Sequence, residues 1–175
     1  YQRRDDRRGG FQQRDDRRGN FRDDRRKDAS YKSYSSTDKY VSPNGNEPTI
    51  PAGVSADELD RDALRALTTL SGPNRDIVAR HLVMAGQLID LDPEAAYQHA
   101  QAAVSRAGRV DVVREAAALT AYASGRYEEA LREVRAVRRM RGDSSLSAVE
   151  ADAERGLGHP EKAVEIIDAT DASSL

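Results

Sequence analysis

Five arginines crowd one short stretch of the chain: Arg132, Arg135, Arg138, Arg139 and Arg141. A guanidinium stays charged at any physiological pH and pairs bidentately with phosphate or carboxylate, so this density of arginine is the chemistry of an anion-binding or acidic-partner surface. In a helix, with about 100° of rotation per residue, Arg132, Arg135 and Arg139 share a face and Arg138 and Arg141 border it, which predicts a basic stripe about two turns long. Acid lies close by in Glu128, Glu129 and Glu133, and a competing reading pairs the arginines with these carboxylates and with the negative end of their own helix. The three histidines, His81, His99 and His159, fall in no His-x3-His or HExxH spacing. That spacing predicts no metal site, and His81, next to Leu82, is expected to be a partly buried helix residue. No glycine-rich phosphate loop, nucleophile elbow or Ser, His and Asp arrangement occurs, so we expect no catalytic residue, no cofactor and no small-molecule substrate.

A second supply of arginine opens the chain. Residues 1 to 30 repeat a decapeptide, YQRRDDRRGG, FQQRDDRRGN and FRDDRRKDAS, with an aromatic ahead of each RDDRR block. Almost no aliphatic residue is present to offset chain entropy, and Gly9, Gly10 and Gly19 interrupt any charge-patterned helix, so a disordered arm is expected. The RRGGF and RRGNF segments resemble the RGG-type arms of RNA-binding proteins. That resemblance implies nucleic-acid contacts from Arg7, Arg8, Phe11, Arg17, Arg18 and Phe21, by phosphate pairing and base stacking. The adjacent Asp5, Asp6, Asp15 and Asp16 weaken the field a phosphate would feel, and the opposing reading is a solvated tether. Residues 31 to 54, rich in Ser, Tyr, Pro, Gly and Asn, are expected to be a linker.

The elements that must position the stripe start at Ser55. SADE reads as a capping box opening a helix to about Leu70, and a second helix is expected from about Arg75 to Asp90. Asp92 and Pro93 start a third, which Gly108 ends; Asp111 caps a fourth. The fifth, carrying the arginines, is expected from Tyr127 to Arg141 before Gly142. Asp143 or Ser144 is expected to cap a sixth, and Pro160 to start a seventh. The junctions repeat: LDPEAAYQHA, GRYEEALREV and GHPEKAVEII place Ala96, Ala130 and Ala163 at intervals of 34 and 33 residues. Ala63 stands 33 residues before Ala96. Each of these alanines has a larger or equal apolar residue four places later, a spacing that lets two helices cross closely and fills the groove beside the crossing.

With that period, residues 77 to about 170 resemble tetratricopeptide repeats, whose unit is a 34-residue helical hairpin. The resemblance implies an all-α, right-handed solenoid of about three and a half hairpins over residues 55–175, continuing or covered by a partner beyond Leu175. The motif's first half departs, with Arg80, Val83, Met84 and Gln87 at its Trp, Leu, Gly and Tyr positions. In peptide-binding members of that family the first helices carry a Lys and Asn clamp for a C-terminal carboxylate. The matching positions here are His81, Ala85, Glu115, Leu119, Ala148 and Asp152, so no such clamp is expected.

Charge divides the chain. Residues 1 to 30 carry eleven Arg or Lys against seven Asp, whereas residues 51 to 175 carry fifteen against twenty-one acidic residues. A basic arm on an acidic module follows from that asymmetry. The absence of cysteine fits a reducing, cytoplasmic setting, and no apolar run approaches the roughly 20 residues of a membrane span. The expected function is a non-enzymatic scaffold that binds protein partners through its solenoid surface. The alternative is an RNA-associated adaptor, its arm on nucleic acid and its solenoid on a protein.

Overall fold

The computed structural model describes residues 36–170. Seven α-helices follow one another: α1 (Arg61–Ala66), α2 (Gly72–Leu88), α3 (Pro93–Ala107), α4 (Asp111–Ala123), α5 (Tyr127–Arg141), α6 (Ser147–Gly156) and α7 (Pro160–Asp168). From α2 onward each helix packs on the next in sequence, and α4 also touches both α2 and α6. No helix among the described residues is long and apolar enough to cross a membrane.

Alanine makes the packing close. Ala79, Ala96, Ala100, Ala103, Ala117, Ala118, Ala121 and Ala130 are fully buried, with Leu67, Val78, Val113, Val134 and Val137 between them. A buried methyl removes little apolar area from water, so the larger aliphatics carry most of the gain, about 1.5–3 kcal/mol for each one fully buried. The alanines allow the helix axes to approach until those side chains meet.

The expected helix ends hold best around α5. Gly125, at φ 75°, lets the chain leave α4 in the left-handed conformation that costs side-chain-bearing residues energy, and Arg126 N–H donates to Ala121 O at 2.8 Å. Asp92 caps α3 as expected, its carboxylate accepting from the Ala95 N–H at 3.0 Å. Other boundaries need correction. The helix expected from Ser55 to Leu70 is broken: the capping box forms, Ser55 N–H donating to Glu58 at 2.7 Å, but it opens only a 3-10 turn over Ala56–Glu58. Asp60 then accepts from the Asp62 N–H at 2.8 Å and starts α1 afresh, because a short acidic side chain competes with the helix for its own amides. Asp111 is the first residue of α4 and not its cap, and Asp143 bonds Ser145 in a turn ahead of α6 instead of capping it.

The linker expectation fails from residue 36 onward. Residues 36–54 form a strap folded back on α2 and α3. Tyr40 and Ile50 pair as an isolated antiparallel bridge, with both N–H to O distances at 3.0 Å. Ile50 is fully buried, and it and Val54 pack with Val83 and Met84. Asp76 of α2 accepts from the Ser36 N–H at 3.1 Å, and Arg80 donates to the Asp38 carbonyl. A polar, proline-bearing segment is held here because two aliphatic anchors and a set of charged side chains on the helices satisfy its backbone.

Candidate functional site

The arginines of α5 lie on one side of the helix but are largely engaged. Arg141 reaches α4, where it bonds Asp111 at 2.6 Å and Glu115 at 2.5 Å. Burial works against its charge, yet these two bonds outweigh it and raise its pKa; the same contact holds Asp111 below the usual carboxylate range. Arg138 pairs with Glu150 and Arg135 with Glu154 at 3.7 Å, both on α6. Arg132 meets Glu129 at 3.6 Å in its own helix. Arg139 is exposed and has no ion-pair partner among the described residues. The stripe is therefore a seam tying α5 to α4 and α6. Of the acids expected to neutralise it only Glu129 does so, while Glu133 goes to Arg114 at 2.9 Å. The arm residues Arg7, Arg8, Phe11, Arg17, Arg18 and Phe21 lie outside the described residues.

A polar cluster that the sequence did not single out sits beneath the strap. His81 of α2 is 0% exposed and His99 of α3 is 3% exposed, with their Nδ1 atoms 2.9 Å apart. One of the two nitrogens must carry the proton they share. Burial, followed by the neighbouring His99, pushes His81 down to about 4, and burial lowers His99 as well. Glu47 of the strap faces His81 Nε2 at 3.9 Å and accepts two bonds from Arg106 of α3, at 2.7 and 2.8 Å. Tyr40 closes the ring of contacts, donating to Glu47 at 2.8 Å and accepting from Arg106 at 2.7 Å, with its ring edge-on to His81. Burial opposes ionisation of Glu47, but the bonds from Arg106 and Tyr40 outweigh it and keep the carboxyl below its ordinary range. The arrangement latches the strap to the hairpin. Among the described residues no group of three or more His, Cys, Asp or Glu is placed to hold a metal ion. Residue spacing could not disclose the pair, since its members lie 18 residues apart on two helices and their counter-charge comes from the presumed linker.

Among the described residues, apolar recesses lie open at two places. One lies between α2 and α4, about 130 Å³, lined by Leu59, Leu82, Ala85, Ile89, Val112, Ala116 and Leu119. It contains two of the positions that match the tetratricopeptide clamp, Ala85 and Leu119. The other matching positions are dispersed: His81 is in the buried pair, Glu115 is bonded to Arg141, Asp152 accepts from Tyr122 and Arg155, and Ala148 lines the second recess. That second recess lies between α6 and α7 and measures about 470 Å³.

Comparison with protein-family models, with curated proteins and with solved structures finds no match to this chain.

Proposed function

We propose that the chain is a non-enzymatic protein-interaction scaffold, a right-handed solenoid of about three and a half tetratricopeptide-like hairpins whose α2/α4 face takes an apolar segment of a protein partner. The observation that carries this reading is the recess itself: Ile89, Val112 and Leu119 stand half-buried around the fully buried Leu82 and Ala85, on helices that touch one another two places apart in the chain. Aliphatic side chains gathered in a concave place, without ion pairs across it, gain by being covered, and a segment presenting one or two large apolar anchors would supply that cover. The 33-to-34-residue period and the close alanine crossings support the solenoid arrangement, in which such a face runs along the first helices of the hairpins.

The test is a photoreactive side chain at Ala116 in the full chain, used to crosslink partners in cells, followed by the same capture with Leu119→Asp added. Leu119 is partly buried and packs against the cluster of Ala118, Val134, Val137 and Leu146, so the variant is first shown to keep its helical circular dichroism, and in that folded protein the crosslinked species should disappear. Crosslinks that persist with Leu119→Asp in a folded protein would remove the α2/α4 face from the reading.

A further inference from the structure

The strap is packed as a unit apart from the core of the helices it covers. Ile50 and Val54 form one apolar cluster with Val83 and Met84 of α2, bordered by Tyr40, Leu59 and Leu88. The core beneath is a different cluster, in which Leu67, Val78, Ala79 and Leu82 meet Ala103, Ala107 and Val113. The two share no buried residue, and Leu59 borders both. Lifting the strap would break the first cluster and leave the second whole.

The strap's other anchors are polar. Asp76 accepts from the Ser36 N–H, Arg80 donates to the Asp38 carbonyl, and Arg106 holds Glu47 and Tyr40 while bonding Asn74 at 3.2 Å. This seal is incomplete: Arg80 Nε and His81 Nε2, both buried, have no hydrogen-bond partner among the described residues. Such a network is held less firmly than a fully paired one, because water satisfies the stranded atoms once the strap is off.

The imidazole pair at its centre limits how many protons the closed strap can cover. With both rings neutral, one Nδ1–H donates to the other Nδ1 across 2.9 Å. One further proton has a place on His81 Nε2, which faces Glu47 at 3.9 Å. A second would set two N–H groups against each other. The remaining groups around the pair do not relieve this: Arg80 and Arg106 are cations, Asp76 is engaged by Ser36 and Arg80, and Tyr40 donates to Glu47.

We propose that residues 36–54 form an acid-operated cover, which lifts from α2 and α3 as a unit when His81 and His99 are both protonated, uncovering Val83, Met84 and Leu88 while the helices stay folded. Leu82, Ala85 and Ile89 line the α2/α4 recess on another face of α2, so the cover does not depend on what that recess binds. The sign follows from the histidines. Under the closed strap His81 is held at about 4, and off it the ring returns to its ordinary 6.5, so opening takes up protons. Closure is favoured above about pH 6.5 and weakens as the pH falls towards 4. His81 alone raises the opening constant about twentyfold between pH 7 and pH 5, and His99 acts in the same direction.

The test is amide hydrogen exchange of the full chain, followed by NMR from pH 7 to pH 5 and corrected for intrinsic rates. Tyr40 and Ile50, whose N–H groups bond each other's carbonyls at 3.0 Å, and Gly53, bonded to Thr37 at 2.7 Å, report on the strap. Ala118 and Val134 report on the helices. Complete unfolding frees the same histidines, so pH lowers protection at both places and urea must separate them. Strap protection should lie below helix protection and change little in low urea, since little surface is uncovered, whereas helix protection falls with the full unfolding slope. The ring protons of His81 and His99 should titrate together with the loss of the Tyr40 and Ile50 bridge. In a His81→Leu, His99→Leu variant the strap's protection should stay nearly level between pH 7 and pH 5. Equal protection and equal urea slopes at strap and helices would overturn the proposal, because the strap would then leave only with complete unfolding. So would an undiminished pH dependence in the folded double variant, or a strap that opens in the wild type before either imidazole gains a proton.

Discussion

Acid should loosen this protein well above the range in which its carboxylates titrate, and the buried histidines are the reason. His81 has an ordinary pKa of 6.5 that the fold holds down at about 4. Its folded value lies below its unfolded value, so unfolding takes up a proton as the pH falls. The stability tied to the neutral imidazole is fully present above about 6.5 and is lost as the pH drops towards 4. With the two values 2.5 apart, the whole effect of His81 is about 3 kcal/mol, and about 2 kcal/mol of it is lost between pH 7 and pH 5. His99, also lowered, adds to the slope in the same direction. The groups facing the pair set how the strain is relieved. Arg80 of α2 and Arg106 of α3 repel a second positive charge, Glu47 faces the pair with a negative one, Asp76 is directed to Ser36 and Arg80, and Tyr40 stays neutral. Two imidazoles whose Nδ1 atoms stand 2.9 Å apart cannot both carry a proton there, so the doubly protonated pair must separate and release the strap. The assay is urea unfolding followed by circular dichroism at half-unit steps from pH 7.5 to 4.5, on the full chain and on a His81→Leu, His99→Leu double variant. Replacing both partners by apolar residues of similar size avoids leaving one nitrogen stranded. The wild-type midpoint should fall steeply below pH 6.5 and the variant's should stay nearly level until about pH 5. Parallel curves for the two proteins, or an NMR titration placing His81 above pH 6, would refute the reasoning.

Limited proteolysis should leave residues 40–54 attached to the helices and not a core that begins near Val54, because Ile50, Glu47 and Tyr40 tie the strap down; Arg106→Met, which removes its bidentate anchor, should open cleavage within residues 40–54 while α4 to α7 stay protected. Gly156→Ala should lower the unfolding free energy by about 1–3 kcal/mol, measured in urea, because its methyl would stand 2.6 Å from the Tyr127 ring where α6 closes on α5; an unchanged or higher midpoint would show that the ring simply turns aside.

The α5 element could be read almost to the residue because everything that defines it is local: a left-handed glycine before it, a small residue at its crossing, another glycine after it. Its charges could not. An arginine's local partners can be counted along the helix, but the partners of Arg138, Arg135 and Arg141 lie 12 to 30 residues away on neighbouring helices, and only the packing decides which carboxylates arrive. The strap failed for a related reason. Composition averages over residues 31 to 54, whereas the contact depends on Tyr40, Glu47, Ile50 and Val54 meeting side chains of α2 and α3. Between Ser55 and Leu70 the apolar spacing suited one helix, and a single Asp60 side chain bonding its following amides was enough to divide it.

The polar seams also answer a difficulty that the alanine packing raises. A surface of small side chains repeated every 33 or 34 residues looks much the same at each hairpin, so sliding one repeat along another would change the apolar contacts little. The charges would change greatly. A slip that set α5 against α4's positions in place of α6's would lay Arg135 and Arg138 over Ala121 and Ala117, and would strand Glu150 and Glu154, both nearly buried, without cations. Leaving such groups unpaired costs several kcal/mol, far more than the alanines could distinguish. Further ties differ at each step: Tyr97 of α3 to Glu129 of α5, Tyr122 of α4 to Asp152 of α6, and Arg114 of α4 to Glu133 of α5. The apolar alanines let the hairpins come close, and the ion pairs decide which hairpin meets which.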